Sequence, residues 1–143
     1  MFGHPKAKTT KDVHVEVLLP QEKPGIGKVS LITVHIRPTD GMHFRFVFFE
    51  LINERTDKRA PMDRVTSRSR YFYRYNVEKA MEKDGENRHT FSMRIPVHKE
   101  ASRNDKFICI RWQLSAKVIL SKNENEPELL SAEATPLELE VVS

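Results

Sequence analysis

The chain has 143 residues, of which 38% are hydrophobic, and its 24 Lys+Arg against 20 Asp+Glu give a formal net charge of +4. This length and apolar fraction fit one domain with an ordinary core and argue against two. The excess of positive charge is too small to assign a polyanion partner, so only local clustering of cations could do so.

Cys109 is the single cysteine, which excludes an intramolecular disulfide, and no Asn-x-Ser/Thr acceptor occurs. Both features predict an intracellular protein, with cytoplasm and nucleus undistinguished. No stretch approaches the ~20 apolar residues of a membrane-spanning helix.

Residues 1–11 carry Lys6, Lys8 and Lys11 with little to bury and read as a flexible N-terminal arm, leaving 12–143 as the folded unit. Val13, Val15, Val17 and Leu19 alternate with His14, Glu16 and Leu18 and predict a strand ended by Pro20. The following QEKPGIGK supplies turn chemistry. It lacks the Gly-Lys-Ser/Thr ending of a phosphate-binding loop, and a β-branched strand over 29–37 follows it. Pro38 to Gly41 then marks a turn into HFRFVFFELIN, where Phe44, Phe46 and Phe48 are expected on one face of a hairpin partner. Residues 53–70 show no apolar periodicity and read as a charged loop or irregular edge. After them, Tyr71, Tyr73 and Tyr75 alternate with Phe72 and Arg74 in a short strand.

NVEKAMEKDG predicts one short helix over 76–84, capped by Asn76, with Val77, Ala80 and Met81 on a shared face. RHTFSMRIPVHK is a further strand, placed near a sheet edge by Pro96, whose ring nitrogen has no proton to donate. The strongest pattern is 107–120, where Ile108, Ile110, Trp112, Leu114, Ala116, Val118 and Leu120 fall on every second position. Fourteen residues at roughly 3.3 Å each would span about 46 Å, so a bend, bulge or change of sheet is expected near Ser115. A short piece at 129–132 and a closing strand at 137–141 complete the chain. Seven to eight strands with one short helix predict an all-β, antiparallel β-sandwich, immunoglobulin-like or related, with a barrel or a C2-like sandwich as alternatives.

Motifs that carry chemistry are few. Six histidines show neither HExxH nor ligand spacing with Cys or carboxylates, so no metal and no cofactor is implied. No nucleophile motif occurs, and Cys109 lies in an apolar strand as a packed thiol. The chain therefore reads as a non-catalytic protein.

One stretch stands out for binding. From Arg55 to Arg74, seven cations (Arg55, Lys58, Arg59, Arg64, Arg68, Arg70, Arg74) meet two acids, and Tyr71, Tyr73 and Tyr75 follow on alternate positions. The first reading is recognition of a protein or peptide through this surface or through a sheet edge near Pro96. The second is nucleic-acid binding of the immunoglobulin-like transcription-factor type, with cations on phosphates and tyrosines under bases. The third is C2-like binding to an anionic membrane surface. Against all three, the tyrosines also fit the inner wall of a sheet with their hydroxyls at its rim, and this inward orientation is expected because it buries more aromatic surface. Ser67 and Ser69 lie among arginines, where a phosphate would cancel local charge. The pattern assigns no oligomeric state.

Overall fold

The computed structural model describes residues 7–18, 22–38, 41–59, 64–81 and 87–143, apart from the side chain of Arg64. It is an all-β fold of two sheets. The strands are β1 (Ala7–Thr9), β2 (Val13–Leu18), β3 (Val29–Pro38), β4 (Met42–Asp57), β5 (Arg64–Met81), β6 (Asn87–Arg94), β7 (Arg103–Asn104), β8 (Ile108–Ser121), β9 (Leu129–Glu133) and β10 (Leu137–Leu139). The larger sheet runs β1-β9-β8-β4-β5, with β7 and β10 also paired to β8; the smaller runs β2-β3-β6. Among the described residues all strand pairings are antiparallel except β1 with β9, and an isolated parallel bridge joins Gly25 and Val142.

The core lies between the sheets. The small sheet contributes Ile32, Val34, Ile36 and Met93, and the large one Phe44, Phe49, Leu51, Trp112 and Leu114, all fully buried. These positions follow from period-2 alternation, which puts one apolar row of each strand inward. Trp112 has no exposed surface and donates its indole N–H to the Glu100 carbonyl at 3.0 Å, so its one polar group is satisfied.

β8 remains one continuous strand, but its outer neighbour changes where a break was expected. Trp112, Gln113 and Leu114 pair with β10, whereas Lys117 to Leu120 pair with β9. Between the two, the Ala134 amide donates to the Ala116 carbonyl at 3.0 Å.

Several expectations are corrected. Asn76–Met81 is the end of β5 rather than a helix, and residues 82–84 of the expected helix lie outside the described residues. Val77 and Met81 are four apart, a spacing that shares a face in a strand as well as in a helix, and pairing of Met81 with Met42 decides between them. Within the expected arm, Ala7–Thr9 forms β1 on β9. Residues 53–70 are mostly strand: β4 continues to Asp57, and β5 begins at Arg64. Here most side chains are polar or charged and Val65 and Ser67 are exposed, so the ladder leaves no apolar rhythm to read.

Phe46 is buried but not in the core. A bulge between Phe44 and Phe46 inserts Arg45 and shifts the parity of β4, so Phe44, Val47, Phe49 and Leu51 face inward while Phe46 and Phe48 face out. The loop before β3 is a turn, as its composition predicts. Gly27 sits at φ 73°, and a Cβ there would stand 2.8 Å from a Val97 methyl.

Candidate interaction surface

The β4–β5 hairpin carries the predicted binding residues, and pairing divides them between two faces. Tyr71, Tyr73 and Tyr75 point inward, half-buried against the core, while Arg68, Arg70, Phe72 and Arg74 point outward. The Tyr73 hydroxyl donates to the Arg94 carbonyl at 2.8 Å, and Tyr75 donates to the Ser92 carbonyl. Tyr75 also packs with Phe49 and Phe91, at ring-centroid distances of 5.8 and 5.1 Å. Burial raises both phenols above the ordinary tyrosine value. The tyrosines therefore present no stacking platform, and the hydroxyls of Tyr73 and Tyr75 occupy carbonyls of β6, the strand expected to offer an open edge near Pro96.

The cations are brought onto one hairpin but not into one positive patch. Arg68 donates to Glu54 at 2.6 and 2.9 Å, and Arg70 lies 3.8 Å from Glu50. Both pairs reflect register, since Arg68 stands opposite Glu54 on β4 and Arg70 diagonally near Glu50. Arg55 pairs with Glu100, Lys58 donates to Asn104, and Arg59 grips Asp57 through its side chain and backbone. That grip, chiefly the side-chain bond from Arg59, lowers the Asp57 carboxyl below the ordinary value. Arg74 lies over the Phe46 ring at 4.2 Å and near Phe48 at 5.6 Å. Arg64 opens β5 opposite Asp57, and its side chain lies outside the described residues.

The acidic partners Glu50, Glu54 and Glu100 were not among the expected site residues. Strand pairing brings Glu50 and Glu54 beside the arginines, and no local motif marks them. The outward face also holds a cleft of about 240 Å³ bordered by Phe48, Glu50, Phe72, Lys117, Glu133 and Pro136. Phe72 retains 44% of its surface exposed. The face is thus a mosaic of paired charges around aromatic rings.

At the other end of the hairpin the β4 bulge builds a second polar cluster. Glu78, at φ 51°, accepts from Arg45 at 3.0 Å and lies 2.8 Å from His43 Nε2. The His43 hydrogen bond, followed by that from Arg45, lowers the Glu78 carboxyl. Arg45 also donates to Ser121 and to the Glu124 carbonyl. This ties the turn after β8 to the bulge. Among the described residues no three His, Cys, Asp or Glu side chains converge as a metal site.

No family model and no curated protein matches the chain. Among solved structures, it is similar to Spo0M, the sporulation control protein from Bacillus subtilis, with a TM-score of 0.63 and 10% sequence identity. The similarity covers 94% of this chain and 51% of Spo0M, so the chain spans about half the length of that protein and shares its fold over that half.

Proposed function

We propose that the chain is a non-catalytic intracellular recognition module that binds a protein or peptide partner through the outward face of the β4–β5 hairpin. The observation that carries this reading is the pairing of cations with acids or aromatic rings across one face: Arg68 with Glu54, Arg70 with Glu50, Arg74 over Phe46. Charges of both signs around exposed aromatic surface suit a protein surface, where arginine and aromatic side chains anchor contacts. A nucleic-acid partner would require unpaired cations and exposed rings for stacking, and only Phe72 accompanies the outward arginines of β5. The single cysteine and the lack of glycosylation acceptors support the intracellular placement.

The test is a pull-down from cell extract with the wild type and the triple variant Arg68→Ala/Arg70→Ala/Arg74→Ala. Loss of specific partners in the variant is expected; identical partner lists would detach binding from this face. A parallel titration with labelled single- and double-stranded oligonucleotides at two salt concentrations is expected to show weak, salt-labile association. Tight binding at the higher salt would replace a protein partner with a nucleic acid.

A further inference from the structure

We infer that β5 takes an acidic, extended peptide segment as an additional strand. This rests on the recognition reading above and specifies its mode and the chemistry of the partner. Three observations carry it.

The first is the ladder itself. Among the described residues β5 pairs only with β4, so over much of its 18 residues one side of its backbone has no strand neighbour. An edge strand exposes alternate N–H and C=O groups that template another strand. The second is the contrast with β6, the edge strand of the other sheet, where the tyrosine hydroxyls bond the Ser92 and Arg94 carbonyls. Strand addition is hindered there, and β5 is the longer template.

The third is the row of outward side chains along β5, which reads Arg68, Arg70, Phe72, Arg74 at every second position. A strand laid beside β5 sets its own outward side chains next to this row, where opposite charges stabilise and like charges repel. Glu54 and Glu50 already flank Arg68 and Arg70 from the β4 side. Arg68 and Arg70 keep 51% and 55% of their side chains exposed, leaving surface for a second carboxylate. A complementary segment carries acids opposite the three arginines and an apolar residue opposite Phe72. A second copy of β5 fails this test. Antiparallel pairing of two copies centred anywhere from Arg68 to Phe72 sets arginine against arginine. The row therefore repels self-pairing along the edge and selects an acidic strand.

The probe is a fluorescent peptide of alternating threonines, with glutamate, phenylalanine, glutamate and glutamate at the intervening positions, read by anisotropy on the full chain. Two N-methylated versions block one or the other alternate set of amide protons, and a scrambled peptide keeps the composition. Saturable binding of the designed peptide is expected, lost on methylation of one set and retained within about threefold on methylation of the other, because only one set faces β5. Arg68→Glu/Arg70→Glu/Arg74→Glu should weaken it about tenfold or more and favour the lysine counterpart, with the alanine triple variant between the two. Circular dichroism on each variant checks that the fold persists. Equal sensitivity to both methylated sets, equal binding of the scrambled peptide, or no binding at low salt would overturn strand addition. If the peptide test fails in one of these ways while the alanine variant loses its partners from extract, strand addition alone falls and the recognition reading stands; if the partner list is also unchanged, both fail.

Discussion

The phenol oxygen of Tyr73 lies 2.8 Å from the carbonyl oxygen of Arg94, and this bond ties the edge of one sheet to the edge of the other. Tyr75 repeats the tie one pair further along, at Ser92. Removing one hydroxyl leaves an edge carbonyl without its partner, at a cost of about 0.5–1.5 kcal/mol. Tyr73→Phe should lower the urea midpoint, and Tyr73→Phe/Tyr75→Phe should lower it further. Midpoints equal to wild type in both would mean that solvent replaces the phenols at no cost.

Trp112 is the largest fully buried side chain among the described residues, on β8, which pairs with β4, β7, β9 and β10. Trp112→Ala should cost about 3–5 kcal/mol, a large part of a small domain's stability. Trp112→Phe keeps most of the volume but strands the Glu100 carbonyl, so it should fall between wild type and alanine. A denaturation midpoint unchanged by Trp112→Ala would show that the core closes without its central ring.

His89 packs edge-on against Phe44 at 4.9 Å, and its Nε2 is buried without a hydrogen-bond partner. Burial, with Lys79 nearby as the lesser cause, lowers its pKa from the ordinary 6.5. Above pH 6.5 the ring is neutral in both folded and unfolded chains. As pH falls below that value the unfolded chain binds the proton first, so stability drops. The loss of stability between pH 7.5 and 5.5, followed by urea unfolding, should be smaller in His89→Phe than in wild type. The same loss in both would remove His89 as its source.

Asp105 also has a lowered pKa, but through hydrogen bonds to its charged form rather than through burial. It accepts the Phe107 and Ile108 amides at 2.8 and 2.9 Å and also meets Arg103, which together lower its pKa from 3.8 to about 2. A depressed carboxylate stabilises the fold above the unfolded value, and that contribution is lost as pH falls from about 4 through about 2. Asp105→Asn should lower the midpoint at pH 7 and flatten its decline through this acid window. An unaltered acid limb would place the titrating group elsewhere.

The strands that sequence reading located best are those with one face in the core. Ile108 to Leu120 announces itself because every second side chain meets the opposite sheet. The parity of β4 was harder to read, because a single inserted residue, Arg45, exchanges the faces of every phenylalanine after it, and nothing in FRFVFF distinguishes a bulge from an uninterrupted strand. The helix expectation failed for a related reason. Val77 and Met81 satisfy both periods, and the choice rests on pairing with Met42, which is distant in sequence.

The candidate surface was legible as a list of residues but not as an electrostatic object. Composition shows seven cations between Arg55 and Arg74; it does not show that Glu54, Glu50 and Glu100 are folded against three of them. Those contacts depend on strand register and on the return of the chain at Glu100. The inward orientation of the tyrosines was accessible, because three rings on alternate positions are too much apolar surface to leave uncovered. Their acceptors on β6 were not, since neither Ser92 nor Arg94 uses its side chain in the bond.

The pairing of β1 with β9 sets an order of assembly. Asp57 and Arg64, close in sequence, pair across the β4–β5 hairpin, whereas Ala7 meets Leu129 only after about 120 residues are brought together. Each doubling of loop length adds about 0.6 kcal/mol of closure entropy, so the difference of about four doublings amounts to about 2.5 kcal/mol. On this ground the hairpin is expected to form before the parallel strand docks. Three residues of pairing hold it there, so it is expected to open at low free energy under native conditions. In native-state hydrogen exchange the amides of β1 should exchange at a far lower opening free energy than those of Phe49 and Leu51; protection equal to the global stability would mean that the last strand to arrive leaves only with the whole fold.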